Sequence, residues 1–238
     1  MREGILPHYR PISRKTALSS KPIKFTMDEW RQLYFLAHTD PHKAYAKYCQ
    51  FYLSTSGQTY WSDESDLTDY IENYHEKVDL QMGSRYASSE MITELYVPKA
   101  KLIPFMEKVR QDFLRHNVWL IYGVIRFIKK DDESFLAWAK KDYACVIFNL
   151  HVAHTRNGIE KAKRDFRRLI DRASAYQGSF YLTYHRWATR QQIEKCYPQF
   201  VDFLKLKLKY DPDEIFQSDW YRHYKKMFKN QLNDNALI

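Results

Sequence analysis

The order of six segments between residues 90 and 184 restricts the fold more than any other feature of this 238-residue chain. Four stretches rich in β-branched and aromatic residues predict strands, at 91–97, 118–128, 143–153 and 180–184. Two stretches with apolar residues at helical spacing predict amphipathic helices, at 102–113 and 159–173. The order β-α-β-β-α-β predicts an α+β fold: an antiparallel, ferredoxin-like sheet with its helices on one face.

Further helical segments are predicted at both ends of this core. Prolines interrupt residues 1–24, which predicts an extended lead-in. We expect a mostly helical segment over 25–85, the β-α-β-β-α-β core over 86–187, and a helical C-terminal tail over 188–238. Within the core, a charged turn at 129–133 is predicted to lead into a short helix.

Cysteine usage and hydrophobicity limit the cellular setting. Cys49, Cys145 and Cys196 are far apart and form no Cys-x-x-Cys pair, so we predict neither a disulfide framework nor a thiolate zinc site. The longest uncharged apolar run, 118–125, is far shorter than the roughly 20 residues of a membrane span. The first 15 residues contain no apolar stretch typical of a signal peptide. We therefore expect a cytoplasmic protein that does not span a membrane.

Phosphate-binding and metal-binding motifs are missing from the sequence. The six glycines occur singly, so no glycine-rich loop is available to surround a diphosphate. His38 and His42 are separated by Pro41, which favours a turn between helices over a metal site. His151 and His154, three residues apart at a strand end, point to opposite faces. We predict no metal site.

A net charge of +9 leaves a nucleic-acid-binding module as an alternative, because RNA-recognition modules share the β-α-β-β-α-β order. Such modules place a glycine and exposed aromatic residues on the third strand. Here that strand, 143–151, has no glycine, and Phe148 falls on the face predicted to lie under the helices. Lys and Arg on the helices are interspersed with Asp and Glu, which favours solvated surfaces over a nucleic-acid partner.

The alternation of side chains along the strands collects polar residues on the face without helices. Tyr122 and Arg126 share one face of the second strand, and Asn149 and His151 share one face of the third. Alternation in the last strand adds Tyr181, Thr183 and His185 to this open face. The pattern is typical of either a solvated surface or the floor of a ligand site.

Four short motifs, taken in order, carry a family resemblance. They are ELYVP at 94–98, IRF at 125–127 followed by DDESFL at 131–136, YLTYHR at 181–186, and YDPDEIF at 210–216. Together they resemble the C-terminal substrate-binding, or cap, domain of FAD-linked oxidases of the vanillyl-alcohol-oxidase type. The resemblance extends over residues 9–228.

The resemblance implies that the whole chain, 1–238, is the substrate-binding half of a FAD-dependent oxidoreductase. Such enzymes transfer a hydride from the CH–OH group of a small molecule to flavin. FAD would be held by a separate or missing domain, or by a companion polypeptide, and the isolated chain would be inactive. An exposed sheet face would also favour a homo-oligomer. The alternative is a non-catalytic interaction domain that lost catalysis together with its flavin domain.

The resemblance also implies roles for individual residues. Arg126 would stabilise negative charge on the substrate or on reduced flavin, and His185 or His151 would act as the base. Relatives that oxidise polyols and aldonolactones carry Glu-x-Arg where this chain has Val124-Ile125-Arg126, so only the arginine carries over. The substrate-binding residues would be Asn149, Glu94, Tyr122 and Arg186.

Overall fold

The computed structural model describes residues 4–18, 23–61 and 74–233, and the chain divides into two compact units, Met1–Ser89 and Glu90–Ile238. Parts of the predicted lead-in and of the segment 25–85 lie outside the described residues. Thr26 and Glu29 form a capping box at the start of the first helix, in which each side chain accepts the other residue's backbone N–H. The helices of the first unit are α1 (Met27–Thr39), α2 (Pro41–Ser54) and α3 (Tyr74–Gln81).

The second unit contains the predicted β-α-β-β-α-β core. Its elements are β1 (Ser88–Pro98), which begins at the boundary of the units, a 3₁₀ turn (Lys99–Lys101), α4 (Leu102–Arg115), β2 (Leu120–Ile128), β3 (Tyr143–Ala153), α5 (Arg156–Ala175) and β4 (Ser179–Phe180). The strands form one antiparallel sheet in the order β2-β3-β1-β4, which confirms the predicted α+β class and ferredoxin-like order. Four shorter helices follow: α6 (Arg190–Cys196), α7 (Phe200–Tyr210), α8 (Asp219–Met227) and α9 (Lys229–Asn233).

The helices cover one face of the sheet, as predicted. Val146, Phe148 and Leu150 of β3 are buried in one core with Phe105 of α4 and Phe166 of α5. Cross-strand partners share a face, and the β2–β3 register pairs Tyr122 with Asn149 and Arg126 with Cys145. Because these residues alternate with the buried Val146, Phe148 and Leu150, they lie on the opposite face, here called the open face.

Two local predictions are wrong. Segment 134–142 contains no helix; the Asp131 carboxylate accepts the backbone N–H groups of Glu133 and Ser134 in the turn before it, and the Asp131 N–H donates to the Ala139 carbonyl at 2.8 Å. The last strand ends at Phe180 instead of continuing to residue 184. Beyond it the Tyr181 N–H still donates to the Glu94 carbonyl at 3.0 Å, and the Leu182 carbonyl, which faces away from β1, accepts the indole N–H of Trp220 at 2.9 Å.

The early end of β4 changes the position of His185. Without strand alternation, the His185 ring turns toward the helices and packs 4.5 Å from the Phe166 ring and 5.5 Å from the Trp187 ring. Phe166 belongs to the core between sheet and helices. The prediction that His185 lies on the open face is therefore wrong.

Candidate functional site

A carboxylate on β1 organises the polar centre of the open face. The Glu94 Oε2 atom accepts the Tyr96 hydroxyl at 2.9 Å, and Oε1 accepts the Tyr184 hydroxyl at 2.9 Å. The Cys145 thiol of β3 contacts Oε2 at 3.6 Å. We call these four residues the Glu94 cluster. It joins β1, β3 and the segment that follows β4 on one side of the sheet.

Burial keeps the thiol and hydroxyl groups of the Glu94 cluster protonated. Burial and the adjacent Glu94 carboxylate raise the pKa of the Cys145 thiol to about 12, and the same two causes raise the pKa of Tyr184 to about 12. The pKa of Tyr96 is also raised, by burial and by Glu94. At neutral pH all three groups are protonated and donate toward one carboxylate, so the cluster presents a single negative charge.

Arg126 lies on the same face as this carboxylate, two strands away from it. It is opposite Cys145 in the β2–β3 register, and Cys145 in turn contacts Glu94. Arg126 is exposed and forms no ion pair with any described carboxylate. The open face therefore carries a cation on β2 and a carboxylate on β1, the two strands that flank β3, one at the surface and one half-buried. A small polar molecule that lies across this face can contact the positively charged guanidinium of Arg126 and donate a hydroxyl hydrogen bond to the carboxylate of Glu94.

A second carboxylate contact lies further along the same strands. The Asn149 side-chain amide donates to Glu90 Oε2 at 3.0 Å, and Tyr122 is opposite Asn149 on β2. Burial raises the pKa of Tyr122. The sequence analysis missed Glu90, although its spacing of four residues from Glu94 on a strand places both on one face. Four residues of strand separate these two contacts by about 13 Å.

The structure separates the predicted histidines and Arg186 from Arg126. His151 is six residues from Cys145 on β3, about 20 Å along the strand, and its ring packs 4.2 Å from the Trp119 ring. His185 lies in the core. Arg186 faces Asp219 of α8, with Nη1 4.0 Å from Oδ2. Of the predicted residues, Arg126 and Glu94 are therefore connected through Cys145, and Tyr122 and Asn149 form the second group with Glu90.

Because His185 is buried, the free energy of unfolding should depend on pH. Burial lowers its pKa from 6.5 to about 4, so the unfolded chain binds a proton between these values that the folded chain does not. The free energy of unfolding should therefore fall as the pH drops from 7 to 4, by up to about 3 kcal/mol from this residue alone. Above pH 7 the residue contributes no pH dependence.

Urea unfolding at pH 7 and pH 4.5 measures this effect. In a His185→Phe variant, whose ring fits beside Phe166 and Trp187, the loss of stability between the two pH values should be smaller by about 2–3 kcal/mol. His42→Phe, at an exposed position, serves as the matched control and should keep the wild-type pH dependence. An identical loss in His185→Phe and the wild type would contradict the prediction.

The described residues fit one part of FAD. Arg126, Tyr122 and the Glu94 cluster offer aromatic surface, a cation and hydrogen-bonding groups suited to contact with a flat polar ring. Two glycines of the second unit offer no room for a diphosphate: Gly158 and Gly178 are packed against backbone, since an added Cβ would lie 2.4 Å from the Ala153 carbonyl and 1.9 Å from the Tyr96 carbonyl, respectively. No cluster of three potential metal ligands occurs in residues 4–18, 23–61 and 74–233.

None of the helices described in the structure has the length and hydrophobicity needed to cross a lipid bilayer. A search of curated proteins gives no match to the chain. A family model for D-arabinono-1,4-lactone oxidase matches residues 70–224, nearly two-thirds of the sequence, and covers the sheet, the Glu94 cluster and Arg126. The chain therefore belongs to the D-arabinono-1,4-lactone oxidase family, a family of C-terminal domains of FAD-linked oxidases.

Proposed function

We propose that the chain provides the substrate-facing surface of a FAD-linked oxidoreductase that oxidises a CH–OH group. Membership of the family supports a FAD-linked oxidoreductase domain. The observation that carries the finer proposal is the pairing of exposed Arg126 with the Glu94 cluster on the open face. When FAD is bound, its flavin ring supplies the hydride acceptor.

Each residue of the site has a role that follows from its charge and position. Arg126 stabilises negative charge that develops on the substrate oxygen. Glu94 accepts a hydrogen bond from the substrate hydroxyl, orients the carbon that is oxidised, and takes the hydroxyl proton as the hydride leaves. Tyr184 is 42% exposed and already donates to Glu94, so a substrate hydroxyl replaces it with little change in hydrogen bonding. We assign no base role to His185, because it lies in the core.

The FAD diphosphate requires a separate FAD-binding domain or a companion polypeptide in this proposal. Purified alone, the 238-residue chain should therefore show no stoichiometric quenching of flavin fluorescence when FAD is titrated. Tight, stoichiometric binding by the chain alone would show that the second component is unnecessary.

Purification from the native cells under mild conditions tests the function itself. We expect a flavin absorption band to co-purify with the chain and to bleach anaerobically when an alcohol or an aldonolactone is added. Activity against D-arabinono-1,4-lactone is one arm of this test, since the family model carries that name. A preparation that retains its companion polypeptides and contains no flavin would contradict the proposal.

A further inference from the structure

Four aromatic rings surround a cleft at the β4 edge of the sheet. The cleft has a volume of about 230 Å³ and is lined by Trp138, Tyr181, Tyr197 and Trp220, with Leu136 and Thr183. We call it the aromatic cleft. All these residues belong to the second unit. The turn at 134–142, which replaced the predicted helix, contributes Leu136 and Trp138.

The polar atoms of two of these rings are already used within the fold. The Trp220 indole N–H donates to the Leu182 carbonyl at 2.9 Å, and the Tyr197 hydroxyl donates to the Phe180 carbonyl. Trp138 packs against the Tyr96 ring at 5.3 Å and the Tyr181 ring at 6.4 Å. These contacts fix the rings, so the walls are rigid before any ligand arrives and present mainly ring surface.

The size and lining of the aromatic cleft select a ring compound with few polar groups. An apolar cavity of about 150 Å³ holds benzene, so the observed volume accommodates one substituted ring. A sugar lactone carries several hydroxyl groups, and each would lose its hydrogen bonds to water without finding a partner on these walls. Thr183 is exposed at the cleft and offers a hydroxyl to a single polar substituent.

One charge of each sign lies near the aromatic cleft, so its surroundings favour neither a cationic nor an anionic ligand. The Lys140 ammonium group lies 5.4 Å from the centre of the Tyr197 ring, so a cationic ligand would meet a like charge. Tyr181 packs 5.3 Å from Tyr184, whose hydroxyl is bound to the Glu94 carboxylate. An anionic ligand would face that carboxylate.

From this geometry we propose that the aromatic cleft binds a small neutral compound with one apolar ring. The identification of that compound with the substrate rests on the proposed function. The Tyr181 ring lines the cleft and packs against Tyr184, whose hydroxyl donates to Glu94, so the cleft adjoins the Glu94 cluster.

Saturation-transfer NMR on the purified chain tests the binding without FAD or turnover. Benzyl alcohol is the probe, and D-arabinono-1,4-lactone is the polar comparison. We expect benzyl alcohol to bind with a Kd on the order of 1 mM and the lactone to bind at least 10-fold more weakly. Absence of benzyl alcohol binding, or equal binding of the two compounds, would overturn the inference.

Two variants locate the binding site. Trp138→Ala removes one wall, and Thr183→Phe fills the cleft from an exposed position without deleting a core ring. Each should weaken benzyl alcohol binding at least 10-fold, while Trp61→Ala, which removes an exposed indole of the first unit, should not change it. Circular dichroism checks that Thr183→Phe is folded. Wild-type binding in folded Thr183→Phe would place the probe elsewhere and overturn the inference.

The two proposals fail separately. If the chain binds the ring compound but the native preparation contains no flavin, the proposed function is contradicted and the binding site is still supported. If the native preparation contains flavin but the chain does not bind the ring compound, only the inference that the aromatic cleft is a binding site is contradicted.

Discussion

Replacement of Gly178 by alanine is expected to lower the free energy of unfolding by at least about 3 kcal/mol. Gly178 lies in the turn between α5 and β4, and its N–H donates to the Ala173 carbonyl at 2.8 Å. A Cβ at this position would lie 1.9 Å from the Tyr96 carbonyl oxygen and 2.8 Å from the Ala173 carbonyl oxygen. Both atoms belong to backbone, so neither can rotate away, and relief requires β4 to separate from β1.

Urea unfolding followed by circular dichroism measures this effect. Gly4→Ala is the matched control, because no atom lies within 4 Å of its added Cβ, and its stability should equal that of the wild type within about 0.5 kcal/mol. A Gly178→Ala protein that loses less than about 1 kcal/mol would show that the turn adapts without disturbing the β1–β4 pairing.

The second large effect concerns Arg126. In a flavin-linked preparation that oxidises a substrate, Arg126→Ala should lower kcat/KM about 100-fold or more, since it removes the positive charge that stabilises the substrate oxygen. Because Arg126 is exposed and forms no ion pair with a described carboxylate, the unfolding temperature should not change. Arg126→Lys should recover part of the activity, because it restores the charge without the planar donor geometry.

Arg110→Ala controls for a general loss of surface charge. Arg110 is an exposed residue of α4, outside the sheet, and its removal should leave kcat/KM unchanged. Wild-type kcat/KM in Arg126→Ala would contradict the assigned role. A loss of activity that follows a loss of stability would also contradict it, since a structural role would then account for the change.

The sequence was most informative where residues obey a strict period. Along β3 every second residue is core-facing, so alternation alone predicted that Val146 and Phe148 lie under the helices and that Asn149 lies on the other face. The chain also contains two helices with long apolar stripes and a hairpin between them. This combination allows only a few strand orders in the sheet. The strand order β2-β3-β1-β4 follows from this connectivity.

Prediction failed where a single long-range contact decides the backbone path. Alternation suggested a strand up to residue 184, but the strand ends at Phe180, and the Leu182 carbonyl accepts the indole N–H of Trp220, 38 residues further along the chain. His185 consequently turns into the core. Likewise, no helix forms after residue 133, where the Ala139 carbonyl accepts the Asp131 N–H at 2.8 Å.

The candidate site was predictable only in part for the same reason. Arg126 and Asn149 could be placed by alternation, and Glu94 by its motif. The link from Glu94 to Tyr184 spans 90 residues, and the aromatic cleft combines side chains from the 134–142 turn, the segment after β4, and α8. No local pattern brings such distant positions together, because tertiary packing assembles them.

The labelling rates of the two buried thiols measure how often the domain opens locally. Cys145 lies on the open face and Cys196 in the core beneath the helices; they are 3% and 2% exposed, and burial is the main cause that raises the pKa of each. A thiol reagent needs an accessible thiolate, so it reacts with either residue only after local separation of the surrounding structure. The two labelling rates therefore report, in a single experiment, how often each side of the same sheet becomes exposed to solvent.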